Sequence, residues 1–269
     1  MSIIHYPLIS VLVLNYRTPK DTMRCVEALR RQTIADRIEI IVIDNHSEDE
    51  SIGWFRAQFG DTQTVRIVEQ RGNLGYGRAN NNGASFATGE YLLVLNPDNT
   101  LPPNALKEML DFLKTHDDIG IVSPALVYAD GTVRPSARAF PTIGDLLRKR
   151  IFPNAWQKRF DERHRYFNER KTIDVDWMVG ACLLMRADLF RTLKGFDERF
   201  FLFFEDMDLC RRTKLLGKRV VYMPSVRVLD GKERLSGSSI FSLMTRKTTR
   251  IHLMSAIMYF WKWRRGGED

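Results

Sequence analysis

Cysteine is scarce in this sequence, with three residues in 269, at Cys25, Cys182 and Cys210. An odd and widely spaced set excludes a disulfide framework and lacks the short spacings of a zinc site. The five histidines are equally scattered, so they form no metal-binding motif either. A chain with so few cysteines fits a reducing compartment.

A hydrophobic run long enough to cross a bilayer is also missing. The first residues, MSIIHYPLISVLVLNY, lack the basic start and the cleavage site of a signal peptide, and they predict a buried first strand. Residues 253–263 are apolar and aromatic with basic flanks, again too few to span a membrane. This composition is typical of a helix that lies on a membrane surface.

The two common phosphate-loop motifs are absent as well. The stretch RGNLGYGRANNNGA is rich in glycine, but its spacing does not match the dinucleotide fingerprint and no GK[ST] follows. A Walker-type site and a Rossmann cofactor site are therefore disfavoured. The stretch still suits a loop in which Gly75 lets a ligand approach the backbone, while Asn73, Asn80 and Asn81 offer amide groups to a base or phosphate.

The chain has what a folded α/β protein needs, since 44% of its residues are hydrophobic. At this length it forms one large domain or two small ones. The formal net charge of +8 indicates an anionic partner, which charge alone does not identify as nucleic acid, nucleotide or phospholipid.

Short apolar runs alternate with helical patterns in the first half of the chain. Residues 9–14, 39–43, 65–68 and 91–95 read as buried strands, and Thr18 with Pro19 predicts the start of a helix that reaches about residue 32. In the second half we expect helices over residues 187–193, 205–216 and 242–263 and a strand over 219–222. The alternation predicts a doubly wound parallel sheet with its ligand crevice beyond the carboxyl ends of the strands.

Polar clusters follow four of these strands. They are Asn15-Tyr16, Asp44-Asn45, residues 73–77 and residues 96–98. One such cluster is explained by turn chemistry, because Asn, Asp and Gly are common turn residues. Four in succession favour a ligand site on one rim of the sheet.

Asp98 follows the fourth strand in the sequence YLLVLNPDN. A carboxylate fixed at this point is well placed to bind a hard divalent cation that bridges nucleotide phosphates. A proline-containing turn with Asp98 as a helix cap explains the same spacing equally well.

The stretch FFEDMDLCRR places three carboxylates after a run of aromatic residues. Asp206 is the best candidate for a general base that takes the proton of a sugar hydroxyl, and Glu205 would hold an acceptor hydroxyl or a basic partner. Asp208 has the spacing to pair with Arg211 or Arg212. The alternative is an acidic helix N-terminus favoured by the helix dipole, which leaves the aromatic run unexplained.

Residues 148–171 hold nine Lys or Arg among five aromatic residues. They indicate an insertion or lid, or with equal weight a solvated pair of amphipathic helices.

Seven stretches in the same order resemble the inverting family 2 glycosyltransferases of the GT-A fold, and among them bacterial rhamnosyltransferase-like members. They are VLVLNYRT, IVIDNHSED, NLGYGRANNNGA, LVLNPDN, WMVGACLLMRADLF, GFDERFFLFFEDMDLCRR and HLMSAIMYFWK. The resemblance spans nearly the whole chain. It implies a GT-A domain over residues 1–240, with a nucleotide-binding half (1–124) and an acceptor-binding half (125–240) that carries an insertion at about 140–171. Residues 241–269 would form an amphipathic C-terminal helix.

The resemblance also implies roles for individual residues. The nucleotide sugar would be bound by Asn15, Tyr16, Asp44, Asn45, Asn73, Gly75, Asn80, Asn81 and Asn96. Asp98 matches the metal-binding aspartate, Asp206 the catalytic base, and Trp177 and Gly180 fall where acceptor and sugar contacts are expected. The metal would be Mg2+ or Mn2+.

One position departs from the family pattern. Many members carry a histidine near the metal where this chain has Asp230, in the sequence VLDGKERLSGSS. Aspartate is itself a hard oxygen ligand and would serve Mg2+ or Mn2+, or it is an exposed loop residue.

The expected function is transfer of a sugar, rhamnose or another deoxyhexose, from a nucleoside-diphosphate-sugar to a glycan or polyprenyl-linked acceptor in bacterial surface polysaccharide synthesis. The protein would be cytoplasmic and would bind peripherally to the cytoplasmic face of the inner membrane. Its partners would include anionic lipid but not nucleic acid, and a homo-oligomer is compatible with the sequence. One alternative is a sugar-phosphate nucleotidyltransferase. It is disfavoured because such enzymes usually carry a glycine-rich loop with a basic residue after the first strand, where this chain has NYRTPKD. The other alternative is a module that binds single-stranded nucleic acid.

Overall fold

The structure is a computed structural model that describes residues 7–60, 62, 64–142, 144–145, 171–231 and 246–264. Most of the basic aromatic segment predicted at 148–171 lies outside the described residues.

A nine-stranded sheet forms the centre of the described fold, with the strand order β3-β2-β1-β4-β10-β6-β11-β5 and β8 paired to β11. Its strands are β1 (Ile9–Asn15), β2 (Ile38–Asp44), β3 (Val65–Glu69), β4 (Tyr91–Leu95), β5 (Asn99–Thr100), β6 (Ile119–Val127), β8 (Ile173–Val175), β10 (Cys182–Arg186) and β11 (Arg219–Asp230). A second pair joins β7 (Ala137–Arg138) to β9 (Trp177–Met178). The pairs β1-β2, β1-β4, β2-β3 and β6-β11 are parallel, whereas β10 runs antiparallel between β4 and β6. The predicted mostly parallel sheet is confirmed.

Seven α-helices lie within the described residues. They are α1 (Pro19–Arg30), α2 (Ser51–Phe59), α3 (Tyr76–Ala84), α4 (Ala105–Lys114), α5 (Ala187–Thr192), α6 (Glu205–Leu215) and α7 (Arg246–Lys262). Pro19 opens α1 as predicted, but Thr18 makes no side-chain capping bond. Its hydroxyl lies 3.3 Å from Oδ1 of Asn15 instead.

Both faces of the sheet are covered, as the apolar strand sequences predict. Alternate residues of β1 point to opposite faces, so Val11 and Val13 belong to a core that includes residues of α1, α2 and α4. Leu12 and Leu14 belong to a second core with residues of α3, α5, α6 and α7.

Strand β11 is longer than the four residues predicted at 219–222. Pro224 within it donates no backbone hydrogen bond, which in a sequence argues against a continuing strand. The chain instead crosses an irregularity between Met223 and Arg227 and then pairs again with β6. This continuation carries β11 to Asp230, which pairs with Asn99 of β5.

Helix α7 packs one face onto the fold. Tyr259 and Trp263 are buried in the second core, and Nζ of Lys262 contacts Asp197 at 2.8 Å and Asp208 at 2.7 Å. Its opposite face is a stripe of Leu253, Met254, Ile257 and Trp261, each of which keeps 51% to 58% of its surface exposed. Among the described residues, none forms a helix both long and apolar enough to cross a membrane.

Candidate active site

Asn15 ties the end of β1 to the end of β2. Its Nδ2 donates to Asp44 at 2.7 Å and to Ser47 at 2.9 Å, while its Oδ1 accepts from the hydroxyl of Thr22 at 2.9 Å. Asn15 and Asp44 are buried, so these bonds also satisfy their polar groups. The neighbouring Tyr16 is exposed and lies beneath the guanidinium of Arg17.

Asn45 connects the same rim to the loop before α3. Its Nδ2 donates to Asn73 at 3.0 Å, and its Oδ1 accepts from the backbone of Leu74 at 2.9 Å. Gly75 has a φ of 80°, and a side chain there would collide with the carbonyl oxygen of Phe201 at 2.2 Å. Glycine is therefore required at this turn.

The two predicted asparagines of α3 have different surroundings. Asn80 is buried and donates to the backbone oxygen of Tyr76 at 2.9 Å. Asn81 exchanges two hydrogen bonds of 2.8 Å with the backbone of Phe196. Asn81 thus braces the segment that leads towards α6, in addition to any contact with a nucleotide.

The turn of Asn96 to Asp98 lies between two other segments. The backbone N–H of Asn96 donates to Ala181 at 2.8 Å, and its side-chain oxygen lies 3.1 Å from the hydroxyl of Tyr76. The backbone oxygen of Asp98 accepts from Gly231 at 2.7 Å. This bond places the end of β11 beside Asp98.

Asp230 is buried and forms an ion pair with Arg134, whose side chain is 17% exposed. Within the ranges described, no group of three His, Cys, Asp or Glu side chains has the arrangement of a metal site. Arg134 contacts one oxygen of Asp230, so a cation that used this oxygen would have to displace the guanidinium.

Asp206 stands at the first turn of α6 and faces Gly180. Its Oδ2 accepts from the backbone N–H of Gly180 at 2.8 Å, and its Oδ1 accepts from that of Met207 at 2.7 Å. Burial raises the pKa of Asp206, opposed by these two donors and by the positive charge of Arg138. A raised pKa makes the carboxylate a stronger base.

Glu205 is more deeply buried than its neighbour. Burial and then the charge of Asp206 raise the pKa of Glu205 well above 4.5, and Oε2 has no hydrogen-bond partner among the described residues. Two adjacent buried carboxyl groups disfavour ionisation of both. Glu205 is therefore the one held neutral.

The backbone before α6 is strained. Phe203 and Phe204 have φ values of 71° and 69°, a left-handed conformation that is costly for bulky residues. Contacts with α7 stabilise this left-handed backbone. The ring of His252 lies 5.2 Å from the ring of Phe203 and 5.4 Å from that of Phe204, and the hydroxyl of Ser255 donates to the carbonyl of Leu202 at 2.8 Å. The aromatic run thus sets the direction in which Asp206 enters the site.

The remaining predicted residue, Trp177, is mostly buried. Its Nε1 donates to the carbonyl of Ala139 at 3.0 Å, and its ring lies 5.3 Å from the guanidinium carbon of Arg138. Asp208 lies away from this contact, paired with Arg212 at 2.7 Å as its spacing predicts.

The comparison with known families agrees with this geometry. Residues 10–193 match the model of "Glycosyl transferase family 2". The chain belongs to glycosyl transferase family 2. The prediction of a glycosyltransferase with the GT-A fold is therefore confirmed over the nucleotidyltransferase and the nucleic-acid module.

Relatives of this glycosyltransferase include an N-acetylglucosaminyl-diphospho-decaprenol L-rhamnosyltransferase of Mycobacterium tuberculosis. It is 30% identical over an alignment of 243 residues, and the alignment covers 84% of this chain and 77% of that protein. Two solved structures share the fold. GalNAc-T7 with UDP, GalNAc and Mn2+ has a TM-score of 0.66 and 15% identity, and the match covers 97% of this chain and 50% of that one. The mannosyltransferase PcManGT of Pyrobaculum calidifontis with GDP-Man and Mn2+ has a TM-score of 0.60 and 18% identity, and the match covers 87% of this chain and 59% of that one.

Three residues of the candidate site are not predicted by the sequence patterns. Tyr76 contacts Asn96 and Gly180, Arg134 contacts Asp230, and the charge of Arg138 acts on Asp206. The two arginines lie in the segment RPSAR, which has no motif spacing.

Proposed function

We propose that this glycosyltransferase transfers a sugar, rhamnose or another deoxyhexose, from a nucleoside-diphosphate-sugar to an acceptor hydroxyl with inversion at the anomeric carbon. The observation that carries the proposal is the position of Asp206. It is half-buried, fixed by the backbone donors of Gly180 and Met207, and connected to Asn96 through Gly180 and the hydroxyl of Tyr76. The name of the mycobacterial relative supports the choice of rhamnose and of a lipid-linked acceptor.

In the reaction, Asp206 accepts the proton of the acceptor hydroxyl while the hydroxyl oxygen bonds to the anomeric carbon. The bond from that carbon to the diphosphate breaks, and its electron pair leaves with the diphosphate. The raised pKa of Asp206 favours proton uptake at this step. The exposed Tyr16 and Asn73 of the rim would contact the base and ribose, whereas the buried Asn15 and Asp44 would support the rim from within.

A divalent cation fits the described residues through Asp98. Mg2+ is commonly bound by one or two carboxylates together with substrate phosphates, so one half-buried carboxylate beside the diphosphate is a sufficient protein contribution. The cation would stabilise the charge of the leaving diphosphate. The role of Asp230 as a second metal ligand is still a prediction, because its ion pair with Arg134 would have to break before Asp230 could bind the cation.

The test is a screen of UDP-, GDP- and dTDP-linked sugars, rhamnosyl donors included, by thermal shift with Mg2+, with Mn2+ and with chelator. A bound ligand at about 100 times its Kd stabilises a protein by about 2.7 kcal/mol, which the melting temperature reports. We expect stabilisation by one donor class, with loss of the effect in chelator.

Two variants separate the proposed roles. Asp206→Asn should lower transfer by roughly 100-fold or more and keep the donor-dependent shift, whereas Asp98→Asn should lose the metal-dependent part of that shift. Asp176→Asn, which alters a half-exposed pair with Lys214, is the matched control. Transfer by Asp206→Asn at the wild-type rate would exclude it as the base.

We propose further that the protein works at an anionic membrane surface, with the exposed stripe of α7 as the contact. Leu253, Met254, Ile257 and Trp261 present apolar and aromatic surface, and Arg250 and Arg264 at either end are exposed cations. The guanidinium of Arg264 lies 4.7 Å from the Trp261 ring, a pairing suited to the polar boundary of a bilayer. A lipid-linked acceptor would be presented at such a surface.

A further inference from the structure

The side chain of Tyr76 contacts both halves of the proposed site, the turn of Asn96 and the backbone of Gly180. Its hydroxyl lies 3.1 Å from Oδ1 of Asn96 and within hydrogen-bond distance of the carbonyl oxygen of Gly180. Its backbone N–H donates to Phe201 at 2.8 Å, in the aromatic run that precedes the base. Asn96 and Gly180 are 84 positions apart in the chain. The pairing of β4 with β10 and the bond from the N–H of Asn96 to Ala181 bring their backbones together, and Tyr76 adds a side-chain link between them.

The hydrogen bonds of this group can all be satisfied together. A phenol carries one proton and donates to one acceptor at a time. The amide of Asn96 can be turned so that Nδ2 donates to the phenol oxygen, because amide oxygen and nitrogen are interchangeable in shape. The phenol then donates to Gly180, and a continuous chain runs from the Asn96 turn to Gly180.

Gly180 also contacts the proposed base, Asp206. Its N–H donates to Oδ2 of Asp206 at 2.8 Å, and a side chain at Gly180 would lie 3.1 Å from Cβ of Asp206. The carbonyl and the N–H of Gly180 are thus held by Tyr76 on one side and Asp206 on the other. A shift of Gly180 would rotate or release the carboxylate.

We propose that Tyr76 is a positioning residue that sets the base Asp206 relative to the Asn96–Asp98 turn through its hydrogen bond to Gly180. This inference rests on the proposed function, since it gives one hydroxyl a part in holding the proposed base relative to the donor turn, in addition to the pairing of β4 with β10. Burial keeps the phenol protonated, because it raises the pKa of Tyr76, as do the charges of Asp206 and Asp98.

Tyr76→Phe removes the hydroxyl and little else. We expect kcat to fall roughly 10- to 100-fold, the size of effect that follows from a small misplacement of reacting groups, with the donor KM and the melting temperature unchanged. The N–H of Gly180 lowers the pKa of Asp206, so a looser Gly180 should raise the apparent pKa of the acid limb of the kcat profile.

Tyr91→Phe is the matched control, because the Tyr91 hydroxyl accepts from Arg186 at 3.1 Å and both lie outside the proposed site. It should leave kcat and the pH profile unchanged. A wild-type kcat and acid limb in Tyr76→Phe would overturn the inference. Loss of metal-dependent UDP, GDP or dTDP binding in that variant would also overturn it, since Tyr76 would then belong to the donor site or the fold.

The outcome for Asp206→Asn separates this inference from the proposed function. If that variant loses transfer and Tyr76→Phe does not, only the role of Tyr76 fails. If Asp206→Asn keeps transfer, the assignment of the base fails, and the alignment proposed for Tyr76 fails with it.

Discussion

Glu205 is an unusual side chain to retain at a protein interior. It is 5% exposed, one of its oxygens has no partner among the described residues, and it adjoins a second carboxyl group. A buried polar group without a hydrogen bond costs stability unless another requirement keeps it. Its neighbour Asp206, the proposed base, provides such a requirement, because the negative charge of the pair stays on Asp206 while Glu205 is protonated.

The stability cost of Glu205 should depend on pH. Its folded pKa is raised above the unfolded value of 4.5, so the folded state holds the proton over a wider range of pH. The stability that the protonated group provides is fully present below pH 4.5 and is lost as pH rises through the folded pKa.

Glu205→Gln removes this titration. We expect the variant to match wild type near pH 4 and to exceed it by roughly 1 to 3 kcal/mol in free energy of unfolding at alkaline pH. Urea denaturation across this pH range is the measurement. Glu198→Gln, at an exposed ion pair with Arg78, should differ from wild type by less than about 1 kcal/mol throughout. A gain that is constant with pH would show that Glu205 is ionised in the folded protein.

Single residues could be predicted from the sequence where the chemistry is local. Asp208 and Arg212 lie one helical turn apart and pair as expected. Tyr76 and Arg134 could not be predicted, because their contacts join positions 104 and 96 apart in the chain. Nothing in the neighbouring letters distinguishes these residues from surface tyrosine or arginine.

At the scale of elements, α7 is part of the fold as well as a surface helix. Its 17 residues place Lys262 between Asp197 and Asp208, and the indole of Trp263 donates to Asp208 at 3.0 Å. Hydrogen bonds to Arg199 and Lys262 lower the pKa of Asp197 against the effect of burial. The helix is therefore attached by mostly buried charges, one of which, Asp208, lies on α6.

Lys262→Met should detach α7 partly. Removal of one partner from a buried ion pair lowers the free energy of unfolding by roughly 3 to 5 kcal/mol. We expect a loss of about 3 kcal/mol here, because Arg212 still pairs with Asp208 in the variant. Urea denaturation gives the free energy of unfolding, and Lys214→Met, at a half-exposed pair with Asp176, is the control with a cost below about 1 kcal/mol. Equal costs for the two variants would mean that α7 is not held by these charges.

The elements themselves show what a sequence can and cannot predict. Continuous apolar runs located β1, β2, β3 and β4 to within one residue at each end. β11 extends to Asp230 beyond a proline, because pairing with β6 and β5 compensates for the missing donor. The polar ends of the strands could be predicted as one rim, whereas the bonds between them depend on packing.

At the scale of the whole molecule, α7 relates the exposed stripe to the chemistry. Its inner face contacts Phe203, Phe204 and the carbonyl of Leu202, directly before α6, the helix that carries the proposed base Asp206. A helix with side chains is about 10 Å across, so a bilayer on the outer face would lie about that far from this segment. The geometry suits an acceptor whose lipid part stays in the membrane while its sugar enters the crevice.

The double variant Leu253→Glu with Ile257→Glu tests this surface without removal of the buried face of α7. We expect sedimentation with anionic phosphatidylglycerol vesicles to weaken roughly tenfold or more, since two apolar side chains no longer enter the interface and two negative charges are added. Leu215→Glu with Leu216→Glu adds the same charge at residues of similar exposure, 61% and 49%, and should weaken binding less. Equal losses would assign the effect to net charge alone. If wild-type binding to vesicles is unchanged by added salt and by the fraction of anionic lipid, the proposed attraction to anionic lipid is wrong. If the wild-type protein is a dimer and the Leu253→Glu, Ile257→Glu variant is a monomer, the stripe binds a second copy of the chain instead of a membrane.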